Sequence, residues 1–137
     1  MDTKLSRVLL VEDETMIQNL YSSKFQKAGF GFLVLPNADG DFLKKVTEFN
    51  PDIILMDLHF EGSQSNGASA AEVLQFDERT KNIPIIFLTN ADIEELAERA
   101  KKITSSIGFL VKAQYLPNEI LSKVQDLYTE FLKHKKI

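Results

Sequence analysis

Residues 53–57, Ile53-Ile54-Leu55-Met56-Asp57, set four large apolar side chains without interruption ahead of one carboxylate. An unbroken apolar run of that length reads as a strand buried on both faces, the kind found inside parallel sheets. An acid at its carboxyl end stands at the mouth of the sheet, where open α/β folds bind ligands.

Similar runs lie on either side of this one. Val8-Leu9-Leu10-Val11 closes on Glu12-Asp13-Glu14, Phe32-Leu33-Val34-Leu35 is broken by Pro36, Ile85-Ile86-Phe87-Leu88 ends in Thr89-Asn90, and Phe109-Leu110-Val111 ends at Lys112. Helical patterns alternate with them. Met16, Ile17, Leu20, Tyr21, Phe25 and Ala28 recur every three or four residues before Gly29. Phe42, Leu43, Val46 and Phe49 precede Asn50-Pro51, and Ala70, Ala71, Val73 and Leu74 suggest a third helix. Ile93, Leu96, Ala97, Ala100 and Ile103 make a fourth stripe. Pro117 opens a last helix faced by Ile120, Leu121, Val124, Leu127, Tyr128, Phe131 and Leu132. Residues 58–67, rich in Gly, Ser and Asn, read as a loop, with 60–66 expected to be loosely held. Five strands alternating with helices predict one parallel sheet covered on both faces by right-handed crossovers.

The chain has 137 residues, one domain by length, and ordinary hydrophobic (44%) and charged (26%) fractions for a soluble globular protein. A net charge of −4 gives no general reason to expect nucleic acid. The lack of cysteine removes disulfides, thiolate metal sites and thiol nucleophiles, and suits a reducing cytosol. The N-terminus resembles neither a signal peptide nor a membrane span. There is no phosphate-binding G-x-x-x-x-G-K-[ST] loop, no G-x-G-x-x-G and no H-E-x-x-H, and Gly67-Ala68-Ser69-Ala70 meets Ala71 where a nucleophile elbow needs glycine.

In a parallel sheet all strand C-termini point one way, so Glu12, Asp13, Asp57, Thr89 and Lys112 converge on one crevice. Close carboxylates repel and need a cation to stay ionised together. With oxygen ligands only, Mg2+ is the first candidate. Together with an ammonium and a hydroxyl, that set suits phosphoryl transfer, in which positioning and charge neutralisation carry the catalysis. A carboxylate can itself be the nucleophile. Each residue also has a plainer reading: Asp13 as a helix N-cap, Asp57 as a turn former, Thr89 as a strand end, Lys112 as a solvated lysine, and His59 and His134 as surface residues.

Leu10-Val11-Glu12-Asp13-Glu14, Ile54-Leu55-Met56-Asp57-Leu58, Phe87-Leu88-Thr89 and Phe109-Leu110-Val111-Lys112, in this order and spacing, resemble the receiver domain of bacterial response regulators over nearly the whole chain. The resemblance implies a flavodoxin-like, doubly wound α/β fold with five parallel strands in the order 2-1-3-4-5. It implies a phosphoacceptor signalling domain of a two-component system or phosphorelay, cytoplasmic, that catalyses its own phosphorylation and slow dephosphorylation. Asp57 would take the phosphoryl group from a histidine kinase or histidine phosphotransfer protein. Asp13 and Asp57 would bind Mg2+, with Glu12 acting through water and the His59 backbone carbonyl as a further ligand. Thr89 would bind a phosphoryl oxygen, Lys112 would pair with the phosphoryl group, and Phe109 stands at the aromatic switch position. The output would be a protein target met by the fourth helix, fifth strand and last helix. A single receiver domain over 1–137, with no output domain and no direct DNA binding, is expected.

Three positions depart from the family pattern. Glu61 stands where the family keeps a proline, and the matching glycine is Gly67, lengthening the loop by about two residues. Ala113 replaces the proline after the lysine, and Phe109 lacks the hydroxyl of the commoner tyrosine. A cis bond before a residue other than proline costs roughly 2.5–4 kcal/mol, so the Lys112–Ala113 bond is expected to be trans, with the chain rerouting between Ala113 and Leu116. A receiver-like interaction module that is never phosphorylated, or a small phosphohydrolase using Asp57, remain the alternatives.

Overall fold

The computed structural model describes residues 4–63, 65–90 and 94–135. Strands β1 (Arg7–Val11), β2 (Gly31–Leu35), β3 (Ile53–Asp57), β4 (Ile85–Thr89) and β5 (Ser106–Val111) alternate with helices α1 (Thr15–Lys27), α2 (Phe42–Phe49), α3 (Gly67–Gln75), α4 (Glu94–Lys101) and α5 (Pro117–Lys135). The sheet is parallel throughout and ordered β2-β1-β3-β4-β5. Its central strands are buried on both faces, which is why they read as continuous apolar runs.

Alternation along each strand divides the core into two. Leu9, Val11, Ile54, Met56, Ile85 and Phe87 pack under α2, α3 and α4. Val8, Leu10, Ile53, Leu55, Ile86 and Leu88 pack against Tyr21 and Phe25 of α1 and Ile120 and Val124 of α5. Each such side chain contributes about 1.5–3 kcal/mol by leaving water.

Local signals set the element ends. Gly29, at φ 97°, follows the last turn of α1, and Asn50, at φ 54°, caps α2 in the left-handed region. Leu116 N–H donates to the Glu119 carboxylate at 2.7 Å at the start of α5. The Glu72–Arg99 ion pair, at 2.7 Å, ties α3 to α4.

Five expectations are corrected. Met16 and Leu20 are exposed, because α1 turns only Tyr21, Phe25 and part of Ile17 inward; the 3.6-residue repeat was broader than the buried stripe. Val73 is likewise exposed on α3. That helix starts at Gly67 because Asn66 caps it: Ser69 N–H donates to the Asn66 side chain at 2.8 Å, and Asn66 N–H donates to the Ser69 hydroxyl at 3.0 Å. Ile103 is buried but follows the end of α4, and β5 begins at Ser106, ahead of the apolar triplet. Ile93 of the fourth stripe lies outside the described residues.

Candidate functional site

Strands β1 and β3 are neighbours, with Val11 paired to Met56, so the residues that follow them meet at one edge. Glu12 and Asp57 are buried there, Asp13 is half-buried, and carboxylate oxygens of all three lie within 4.8 Å of one another. They line a cleft of about 370 Å³ with Glu14, His59, Glu61, Asn90 and Lys112. The Lys112 ammonium sits 3.1 Å from Glu12 Oε1 and 3.3 Å from Asp57 Oδ2. It reaches that point from a single 3₁₀ turn, Lys112–Gln114, which follows β5 through a trans Lys112–Ala113 bond and reroutes the chain where expected.

Backbone amides hold the acids. His59 N–H donates to Asp57 Oδ1 at 3.4 Å, Glu14 N–H to Glu12 Oε2 at 3.0 Å, and Glu61 N–H to Asp13 Oδ2 at 2.6 Å. Asp13 therefore does not cap α1: the cap position is Glu14, and no side chain fills that role. Thr89 ends β4, one residue beyond the Leu88 that pairs with Asp57, and is nearly buried. On the adjoining strand Phe109 stacks on Phe87, ring centres 5.3 Å apart, and packs against the α2–α4 side of the core.

Three carboxylates face one ammonium, so full ionisation leaves the cleft short of positive charge. Burial, and then the Asp57 charge, push the Glu12 carboxyl up to about 7 despite the opposing pull of Lys112. Burial raises Asp57 too, with Lys112 and the His59 amide pulling back and Asp13 adding to the rise. Burial alone would lower the Lys112 ammonium, but Asp57 and Glu12 hold it above its ordinary value. A hard dication with oxygen ligands fits this donor set and would let the acids ionise together.

The response regulator receiver domain model matches residues 8–125. The chain belongs to that family. The receiver is 28% identical over 126 residues to the DNA-binding response regulator MtrA of Mycolicibacterium smegmatis, covering 91% of this chain and 51% of that protein. The chain thus spans about half the length of the curated relatives it matches. Among solved structures it resembles the chemotaxis response regulator CheY4 of Vibrio cholerae, at 26% identity and TM-score 0.75, over 90% of this chain and 99% of that one. A receiver domain of the Pseudomonas aeruginosa sensor histidine kinase PA1611, solved with magnesium in its active-site cleft, shares the fold at 23% identity and TM-score 0.74, over 92% and 99% of the two chains.

The receiver site thus brings together Glu12, Asp13, Asp57, His59 and Lys112, with Thr89 on the next strand. Sequence reasoning missed Tyr21, placed only on a helical stripe. Its phenol is carried to about 12 by burial and then by the Glu12 and Asp57 charges. It also missed the Glu61 amide and the Gln18 side chain, which donates to the Glu12 carbonyl at 2.6 Å. Backbone donors leave no mark in residue identity, and Gln18 has no signal beyond one polar residue in an amphipathic helix.

The pH dependence of stability should expose the crowded acids. A carboxyl raised in the folded state contributes stability that is complete below its unfolded value, near 4.5 for Glu12, and lost as pH rises through about 7. Asp57 acts in the same direction, and the raised Lys112 titrates above this window. Without divalent metal the receiver is expected to lose on the order of 1–3 kcal/mol between pH 5 and pH 8 from this source. Glu12→Gln should flatten the slope. Thermal melts across that range check this; a wild-type slope identical to that of Glu12→Gln would contradict it.

Proposed function

We propose that the receiver takes a phosphoryl group on Asp57 from a phosphohistidine of a histidine kinase or phosphotransfer protein. A lone pair on an Asp57 carboxylate oxygen forms the O–P bond as the P–N bond breaks, and the P–N bonding pair stays on the imidazole nitrogen. The observation that carries this reading is the Lys112 ammonium held between Glu12 and Asp57, with Asp13 beside them at the strand ends. Mg2+, when bound, would neutralise charge on the transferring group. Asp13, Asp57 and the His59 backbone carbonyl would hold it directly, and Glu12 through water. The magnesium in the PA1611 receiver cleft supports that choice of ion.

Lys112 would then move from Asp57 to a phosphoryl oxygen, and the Thr89 hydroxyl would bind another. Phe109, stacked on Phe87 next to Thr89, would repack as Thr89 follows the bound oxygen. A phosphoryl group biases such an element only by interacting differently with its two states. The output surface would be α4, β5 and α5, read by a protein target in the cytoplasm. No helix among the described residues is long and apolar enough to cross a membrane. Tight duplex-DNA binding by these 137 residues would contradict a protein-directed output.

Incubation with a small phosphodonor and Mg2+, followed by intact-mass measurement, tests the reading. One added phosphoryl group is expected, lost again in hydroxylamine as an acyl phosphate should be. A chain that binds Mg2+ but never gains that mass would instead be an interaction module of the same fold, and sustained turnover of a phosphomonoester would make it a hydrolase.

A further inference from the structure

The lengthened loop between β3 and α3 was expected to be loosely held, yet it is gripped by a residue from the connection between β2 and α2. The Ser63 and Ser65 hydroxyls donate to the same oxygen, Asp39 Oδ1, at 2.8 and 2.9 Å. Ser65 N–H also donates to the Ser63 hydroxyl, at 3.0 Å. Asp39 belongs to the connection between β2 and α2, and its own amide donates to the Asn37 side chain at 2.9 Å, so the grip comes from an ordered turn. Both serines are half-buried.

The gripped residue closes a tight turn. Ser63 N–H donates to the Phe60 carbonyl at 3.3 Å, and Gly62 at φ 73° takes the left-handed position that such a turn requires. Phe60 at the start of the turn is buried in the core. The turn is therefore pinned at one end by apolar packing and at the other by Asp39. Between the pins lies Glu61, whose amide donates to Asp13 Oδ2 at 2.6 Å. Asp13 sits next to two buried carboxylates that repel it. The Glu61 amide opposes that repulsion and holds the carboxylate turned into the cleft, leaving its other lone pairs open.

We propose that Asp39, acting through Ser63 and Ser65, is a positioning residue for the cation site: it fixes the Glu61 amide, which in turn orients Asp13. This rests on the reading of Asp13 as a metal ligand. Hydrogen bonds to a ligating carboxylate are commonly worth ten- to a hundredfold in metal affinity. With the Phe60 pin intact, loss of the latch should lie at the low end of that range.

The experiment is Mg2+ titration of the unphosphorylated chain by calorimetry, with hydrogen exchange of the Glu61 amide followed by NMR. Asp39→Ala and the double variant Ser63→Ala/Ser65→Ala are each expected to bind Mg2+ about tenfold more weakly. Both should lose protection at Glu61 while melting near the wild-type temperature. The serine variant changes no charge, so its effect cannot come from weaker attraction of the cation. Asp39→Asn keeps an oxygen that accepts both hydroxyls and should restore affinity and protection together. Wild-type affinity in the serine variant, or an Asn variant as weak as the Ala variant, overturns the latch. A wild-type chain that binds no Mg2+ overturns the site reading and the latch with it. Wild-type binding matched by every variant overturns the latch alone.

Discussion

An Asp57→Asn chain is expected to gain no phosphoryl mass from a small phosphodonor with Mg2+, while unfolding at or above the wild-type temperature at pH 8. Asn has the shape of Asp and can still accept from the His59 amide, which lies 3.4 Å from Oδ1. It lacks the anionic oxygen proposed to attack phosphorus, while Glu12 is buried and paired with Lys112 and one Asp13 oxygen is engaged by the Glu61 amide. Stability should follow the electrostatics. Burial already disfavours the Asp57 charge, and Asp13 disfavours it further. Neutralising it removes that cost and leaves Lys112 paired with Glu12 at 3.1 Å, so no loss and a gain of up to about 1 kcal/mol are expected at pH 8. Intact mass and a thermal melt read both halves. An Asn variant that takes up phosphoryl groups at the wild-type rate removes Asp57 from its role. One that fails to melt cooperatively would show that the carboxylate is needed for the fold.

The parts of this molecule legible in its sequence are those where one residue type answers one physical demand. Ile53 to Met56 and Ile85 to Leu88 are apolar at every position because both faces of their strands are covered. The acids and the lysine stand at strand ends because a parallel sheet delivers all of them to one edge. The strand order is different: alternation of strands and helices is compatible with several orders, and only the family resemblance indicated β2-β1-β3-β4-β5.

What was not legible depends on partners distant in the chain or on backbone atoms. Met16 and Leu20 carry the same apolar signal as Tyr21 and Phe25, and only the direction in which α1 lies on the sheet separates them. The serine-rich loop after Asp57 reads as solvent-facing by composition. Asp39, distant in sequence, accepts from both of those hydroxyls and ties them down. The start of α3 was placed late because Asn66 and Gly67 look like loop residues until the Asn66–Ser69 capping box is seen.

Gly67 carries the second large effect, and its demand is space. A Cβ there would lie 2.1 Å from the Asp57 carbonyl oxygen and 2.9 Å from both the Asp57 carbonyl carbon and the Leu58 Cα. All three are backbone atoms, so no side chain can rotate away. The same approach lets Gly67 N–H donate to the Leu58 carbonyl at 2.9 Å, closing the loop onto the strand that presents Asp57. Gly67→Ala sets two effects against each other. Helix propensity favours Ala by up to about 1 kcal/mol, less at the first helical position. Overpacking against backbone costs typically 1–3 kcal/mol and here belongs at or above the upper end. A net loss of about 2 kcal/mol or more is expected, read as a lower denaturant midpoint with an unchanged slope. The functional loss should exceed what the unfolded fraction explains, because the displaced backbone carries Asp57, the carboxylate proposed to attack phosphorus. A misplacement of about 1 Å can cost roughly a hundredfold in rate. Under conditions where the variant is fully folded, its phosphorylation rate should therefore fall by about that factor, with the Lys112 pairing disturbed as well. A folded Gly67→Ala chain that phosphorylates at the wild-type rate would mean that α3 can withdraw without moving Asp57, and the close approach would then be a packing detail with no hold on the site.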